Sequence, residues 1–174
     1  MEALDLIKEC CRNLHTSYDE ALRDLSVEQL HWRPGDKGNH IAFTTWHYVR
    51  TEDNIVRFVL QNRRPTVWLD GGWDQKFGLD RIVQGTGMPP EEAAALRLPS
   101  AGEWLEYQQA VWRACDEYLA SIREDDLERT TRITYWGEIP VSRALMGPIV
   151  LHGFTHLGEL HHLRSLQGLR GTAF

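Results

Sequence analysis

A chain of 174 residues with 42% hydrophobic and 25% charged content has the size and composition of one globular domain with a substantial core. The formal net charge of −6, without any Lys/Arg-rich run, offers no basic footprint for phosphates and disfavours nucleic acid as a partner. No apolar run has bilayer-spanning length, and the N-terminal MEALDLIKECCRNLH lacks the regions of a signal peptide, so the expectation is a cytoplasmic protein without a membrane partner.

Residues 2–25 read as a first helix, with Leu4, Ile7, Cys11, Leu14, Tyr18, Leu22 and Leu25 at three- and four-residue steps. Ser26 and Gln29 have the spacing of a capping box for one short turn, which Pro34-Gly35 ends. His31, in this connection, is expected at the surface. A second helix is predicted from Asn39 to Gln61, with His47 at the centre of a face that also carries His40, Phe43, Thr44, Thr51, Asn54 and Phe58.

Residues 62–99 show no sustained period and are expected to be a long connection, with one short helix at Pro89–Arg97 that starts on proline and carries acids in its first turn. A connection of this length in a small domain suits a wall or lid over a site. Ser100 and Glu103 then cap a third helix, Ala101–Ile122. Leu127–Pro140 alternates weakly and is expected to be extended, with a turn at Trp136-Gly137. The fourth helix starts at Ser142 and kinks at Gly147-Pro148, or begins at Pro148. Either way His152 and His156 lie in regular helix, and Gly168 marks its end. The expected fold is all-α: a single domain, residues 1–174, built as a four-helix bundle with a long connection after the second helix and a short helix within it.

Cys10, Cys11 and Cys115 include no CxxC spacing, which suits reduced, buried thiols. The histidines say more. His152 and His156 stand at i and i+4, so their rings lie one above the other and can reach one ion. Counted at 100° per residue they interrupt an apolar stripe formed by Leu145, Pro148, Ile149, Leu163 and Leu166, while His161 and His162 point away from it. Buried imidazoles need partners. Hydrogen bonds in the core can supply them, and so can a metal. With His47 from a facing helix, three neutral imidazoles can hold one divalent ion and leave positions open, as catalytic sites require. Glu159 shares the stripe one turn on. It can orient a ligand histidine, activate a water as a catalytic residue, or pair with an arginine.

Two stretches, WRPGDKGNHIAFTTWHYVRTEDN (Trp32–Asn54) and HGFTHLGELHHLRSLQG (His152–Gly168), resemble the DinB-like superfamily of metal-binding four-helix bundles. Glu159 stands where that family usually has glutamine. The resemblance implies that His47, His152 and His156 are metal ligands and that the chain forms homodimers; characterised members of the family include thiol-dependent transferases and isomerases that use mycothiol or bacillithiol, and many members have no known reaction. The most concrete expectation is a metal-dependent enzyme that joins a low-molecular-weight thiol to a small-molecule substrate, with Trp46 or Trp136 as candidate pocket walls. A metal-dependent hydrolase is the near variant, and a non-catalytic metal- or ligand-binding bundle is the alternative. Imidazole ligands suit zinc or nickel first, with iron and other divalent ions open.

Overall fold

The computed structural model describes residues 2–171, and nearly all of their regular structure is helical, as the sequence predicts. Helix α1 (Ala3–Leu22) buries Leu4, Ile7, Cys11, Leu14, Tyr18 and Leu22, the residues whose spacing predicts it. It stops three residues short of the expected end. The short α2 (Val27–His31) has the predicted capping box, with Ser26 and Gln29 each satisfying the other's backbone amide.

Helix α3 (Ile41–Asp53) begins at a residue not expected to act as a cap. The Nδ1 of His40 accepts the Phe43 amide, and the ring is wholly buried. After Asp53 the helix widens into a π-helical segment, Asn54–Val59. His31 is half-buried rather than a free surface residue. Its Nε2 accepts the Leu98 amide at 3.0 Å, which pins the end of the long connection to α2.

The connection contains more structure than its composition predicts. Besides α6 (Pro90–Ala95) it forms α4 (Val67–Asp70) and α5 (Trp73–Phe77). Helices of four and five residues are too short to show a period, so periodicity could not reveal them. Asp53 organises this stretch. Its carboxylate accepts the Val67 and Trp68 amides at the start of α4 and the Tyr107 hydroxyl. Arg50 lies over the Trp68 ring and donates to the Arg81 carbonyl.

Helix α7 (Ala101–Ser121) starts on the predicted Ser100 cap. A 3₁₀ turn (Glu124–Glu128) leads into β1 (Thr130–Ile133), which pairs antiparallel with β2 (Gly137–Pro140). The Trp136 amide bonds to the Ile133 carbonyl and Gly137 is left-handed, the geometry of a three-residue hairpin loop. Then α8 (Val141–Leu145), a second π-helical segment (Met146–Leu151) and α9 (His152–Leu166) follow without a break. Helix α9 ends as predicted at Gly168, where the Gly168 and Leu169 amides return to Ser165 and Arg164.

Helix α3 packs on α7 and α9, and α1 packs on the same two. Buried Gln108 ties three of these helices together. It accepts from Thr45 and Trp104 and donates to Asp19. Trp46, Trp68 and Trp104 fill the core, so Trp46 is not the pocket wall it was expected to be. None of the described helices is long and apolar enough to cross a membrane.

Candidate metal centre

The rings of His47 on α3 and of His152 and His156 on α9 meet through one kind of atom. The His152 Nε2 lies 3.2 Å from the His47 Nε2 and 2.9 Å from the His156 Nε2. Each ring's other nitrogen faces an oxygen. The His47 Nδ1 meets the Gln84 carbonyl, the His152 Nδ1 the Pro148 carbonyl at 3.2 Å, and the His156 Nδ1 the Glu159 carboxylate at 2.8 Å. Carbonyls and carboxylates only accept, so all three Nδ1 atoms carry the proton. Three bare Nε2 lone pairs therefore converge on one point. That repels unless a cation lies between them, and it is the donor set a divalent ion takes.

The surroundings of His47 and His152 favour the neutral ring that ligation requires. Burial, followed by the neighbouring His156 and His47, pushes His152 down to about 4. Burial also lowers His47, while the hydrogen bond to Gln84 opposes it. The His156 hydrogen bond holds the Glu159 carboxyl below its usual range, so the carboxylate is ionised at neutral pH.

Local chain geometry sets these rings. In the π-helical segment the His152 amide bonds to the Gly147 and Ile149 carbonyls, while the Pro148 carbonyl takes the histidine ring. Proline lacks an amide donor, and such one-residue bulges recur at functional sites. Gly153 lets α9 approach the bundle. A Cβ there would stand 2.4 Å from Leu14 and 2.7 Å from Tyr48. Gly85 does the same for the loop that carries Gln84, with φ +86° and a Cβ position 2.9 Å from Trp46 and 3.2 Å from the His47 Nδ1.

The π-helical segment also corrects the predicted stripe. Counting 100° per residue across 146–151 overlooks the wider turn, and the buried face of α9 is Gly153, Leu157, Leu160 and Leu163. His152 and His156 stand beside that face at the bundle edge, with the His156 side chain 17% exposed, and Leu166 is exposed. An edge position gives the ring nitrogens access to solvent and ligands. His161 and His162 lie away from the centre, as expected, half-buried and exposed respectively.

The centre opens into a cleft of about 1140 Å³ that reaches His47 and His152. One wall follows α3 and the π-helical segment after it through Thr51, Asn54 and Phe58, and the hairpin forms another with Ile133, Tyr135 and Trp136. Ile82 to Gln84 close a third side, so the long connection does form a wall. Trp136, predicted as a wall, lies close against Gly147, where a Cβ would come within 2.3 Å of its ring.

Behind the metal centre is a second polar group that the sequence did not reveal. His15, Glu52 and Cys115 lie within 4.8 Å of one another in the core. Both Glu52 oxygens are engaged, one by the His15 ring at 2.8 Å and the other by the Tyr48 hydroxyl. This pairing satisfies a carboxylate with no access to water. The Tyr48 ring meets the His152 ring edge-on at 5.9 Å, so the same network supports the back of the metal centre.

The fold and the centre together define a helical protein with an open three-imidazole site at its edge. The chain belongs to the DinB superfamily, which it matches over residues 13–164 and whose members typically bind metal. A solved structure of a conserved protein from Enterococcus faecalis is similar, with a TM-score of 0.78 and 22% identity, over 95% of this chain and 97% of that one. A DinB-like protein from Bacillus cereus is similar at a TM-score of 0.66 and 17% identity, over 97% and 95%. At these identities the likeness is one of fold. No curated protein is a significant sequence match.

Proposed function

We propose that the chain is a divalent-metal-dependent enzyme that joins a low-molecular-weight thiol to a small electrophile bound in the cleft. His47, His152 and His156 are the ligands in this proposal, with zinc or nickel as the first candidates. One observation carries it: three Nε2 lone pairs converge while every Nδ1 proton is spoken for. A divalent ion bound there would hold a coordinated thiol as thiolate, the nucleophilic form.

The chain's own residues orient and exclude. Gln84, Pro148 and Glu159 fix the three ring planes, and Tyr48 and Gly153 hold α9 against the bundle. Glu159 is a positioning residue in this scheme, because its carboxylate is bonded to the His156 ring. The cleft walls hold the electrophile beside the histidines. Membership of the DinB superfamily supports the thiol half of the proposal.

Elemental analysis of the native protein, with His47→Ala and His152→Ala, tests the first step. About one ion per chain in the wild type and none in the folded variants is the expected result. Turnover of an electrophile panel with bacillithiol, mycothiol or glutathione tests the second. Metal-dependent hydrolysis without a thiol would replace the transferase by a hydrolase. Intact metal with no turnover of any kind would leave a non-catalytic metal-binding protein.

A further inference from the structure

The cleft has a charge opposite to that of the chain. The protein has 25 acidic and 19 basic residues, yet the lining holds two arginines, Arg63 and Arg132, and no aspartate or glutamate. Of the other arginines near this end of the molecule, three are paired, Arg57 with Asp70, Arg81 with Asp74 and Arg129 with Asp126, while Arg64 donates to Gln61 and Arg143 lies over the Trp136 ring, both outside the lining. Among the described residues no carboxylate lies within ion-pair distance of Arg63 or Arg132, Glu138 included, although it faces Arg132 across the hairpin. Two arginines without a carboxylate partner thus line one cleft.

Backbone conformation marks the same place. Asn62 and Arg63 are the two non-glycine residues with positive φ among the described residues, at 53° and 63°. Asparagine tolerates this region after a helix, but for arginine it costs roughly 1–2 kcal/mol. The Arg63 amide bonds to the Phe58 carbonyl at 2.8 Å, so the strained pair returns the arginine to the cleft rim. Observed strain of this kind is a pointer to function. Phe58 follows His47 by eleven helical steps, so the arginine end lies roughly 15 Å from the metal centre along α3 and the π-helical segment after it. The same lining holds the Phe58, Tyr135 and Trp136 rings, all substantially exposed.

We propose that the molecule bound in this cleft is an amphiphilic anion: an apolar or aromatic body against the three rings, and a carboxylate or phosphate held by Arg63 and Arg132 at the end remote from the histidines. Guanidinium forks suit both anions, and flat rings suit a planar body. The inference rests on the cleft being the substrate site of the proposed function, and it names the substrate class.

Binding of naphthaleneacetate, naphthyl phosphate and neutral naphthylethanol, measured by equilibrium dialysis without thiol, tests it. The native protein is expected to hold the better anion roughly tenfold more tightly than the alcohol, a preference that high salt erodes. The tighter of the two anions identifies the group. The Arg63→Gln/Arg132→Gln double variant is expected to lose the preference while still binding the alcohol, and the preference is expected to persist in folded His47→Ala/His152→Ala protein. Equal binding of anion and alcohol, or a preference that survives in the arginine variant, would overturn the proposal, as would loss of the preference with the histidines alone. Failure of thiol transfer with the anion preference intact would remove only the transferase.

Discussion

Replacing Glu159 separates metal affinity from folding. Its carboxylate accepts the His156 Nδ1 proton at 2.8 Å, and its side chain is 49% exposed. Glu159→Ala removes that acceptor and leaves the ring free to turn, so its Nε2 no longer stays on the common point. Loss of such a ligand-orienting partner costs ~10–100-fold in metal affinity, or ~1.4–2.7 kcal/mol. Because the side chain is half exposed, the fold should change by no more than roughly 0.5 kcal/mol. Glu159→Gln keeps an acceptor oxygen but loses the charge, so its affinity should fall between the alanine variant and the wild type. Competition of the metal-free protein with a chromogenic chelator for zinc gives the affinity, and urea unfolding gives the stability. Wild-type affinity in both variants would refute the reasoning, and so would an affinity loss that merely tracks lost stability.

Gly153→Ala should destabilise the protein by roughly 1–3 kcal/mol, because its methyl group would overlap Leu14 and Tyr48; an unchanged urea midpoint would count against the close approach of α9. His40→Ala should cost roughly 2–4 kcal/mol, from the lost cap on α3 and the cavity left by a wholly buried ring, and His40→Asn, which keeps a capping oxygen, should cost ~1 kcal/mol less; equal midpoints for the two would mean that the cap contributes nothing. Acid should destabilise the metal-free protein through His152. Burial and its histidine neighbours push this ring down to about 4, whereas an unfolded imidazole binds its proton near 6.5, so between those values the unfolded chain holds more protons and stability falls with pH. Urea midpoints near pH 7 and near pH 5 should drop further for the wild type than for His152→Ala, and an equal drop would contradict the assignment.

Much of this protein is decided by short-range pattern. The i, i+4 spacing of His152 and His156 places both rings on one side of a helix whatever that helix packs against. The Ser26, Ser100 and Gly168 signals are equally local, because each satisfies backbone groups within four residues of itself. His47 was found as the polar residue at the centre of a helix face, and that face meets α9 in the structure. Helix phase failed at Gly147-Pro148, where a π-helical segment shifts the register and puts the histidines at the edge of the core rather than inside it.

The three Nδ1 partners show where local pattern ends. Glu159 lies three residues from His156, and the spacing allows it to orient that ring, activate a water or pair with an arginine; the structure shows the first contact. The Pro148 carbonyl is four residues from His152, but only the π-helical geometry directs the ring to it. The Gln84 carbonyl is 37 residues from His47 and is a backbone group, which any residue type would supply. Sequence therefore determined which side chains can bind a metal. The tertiary structure alone decided that their Nε2 atoms share one point, because that depends on a loop carbonyl, two glycines at close approaches, and a cleft whose walls come from three separate parts of the chain.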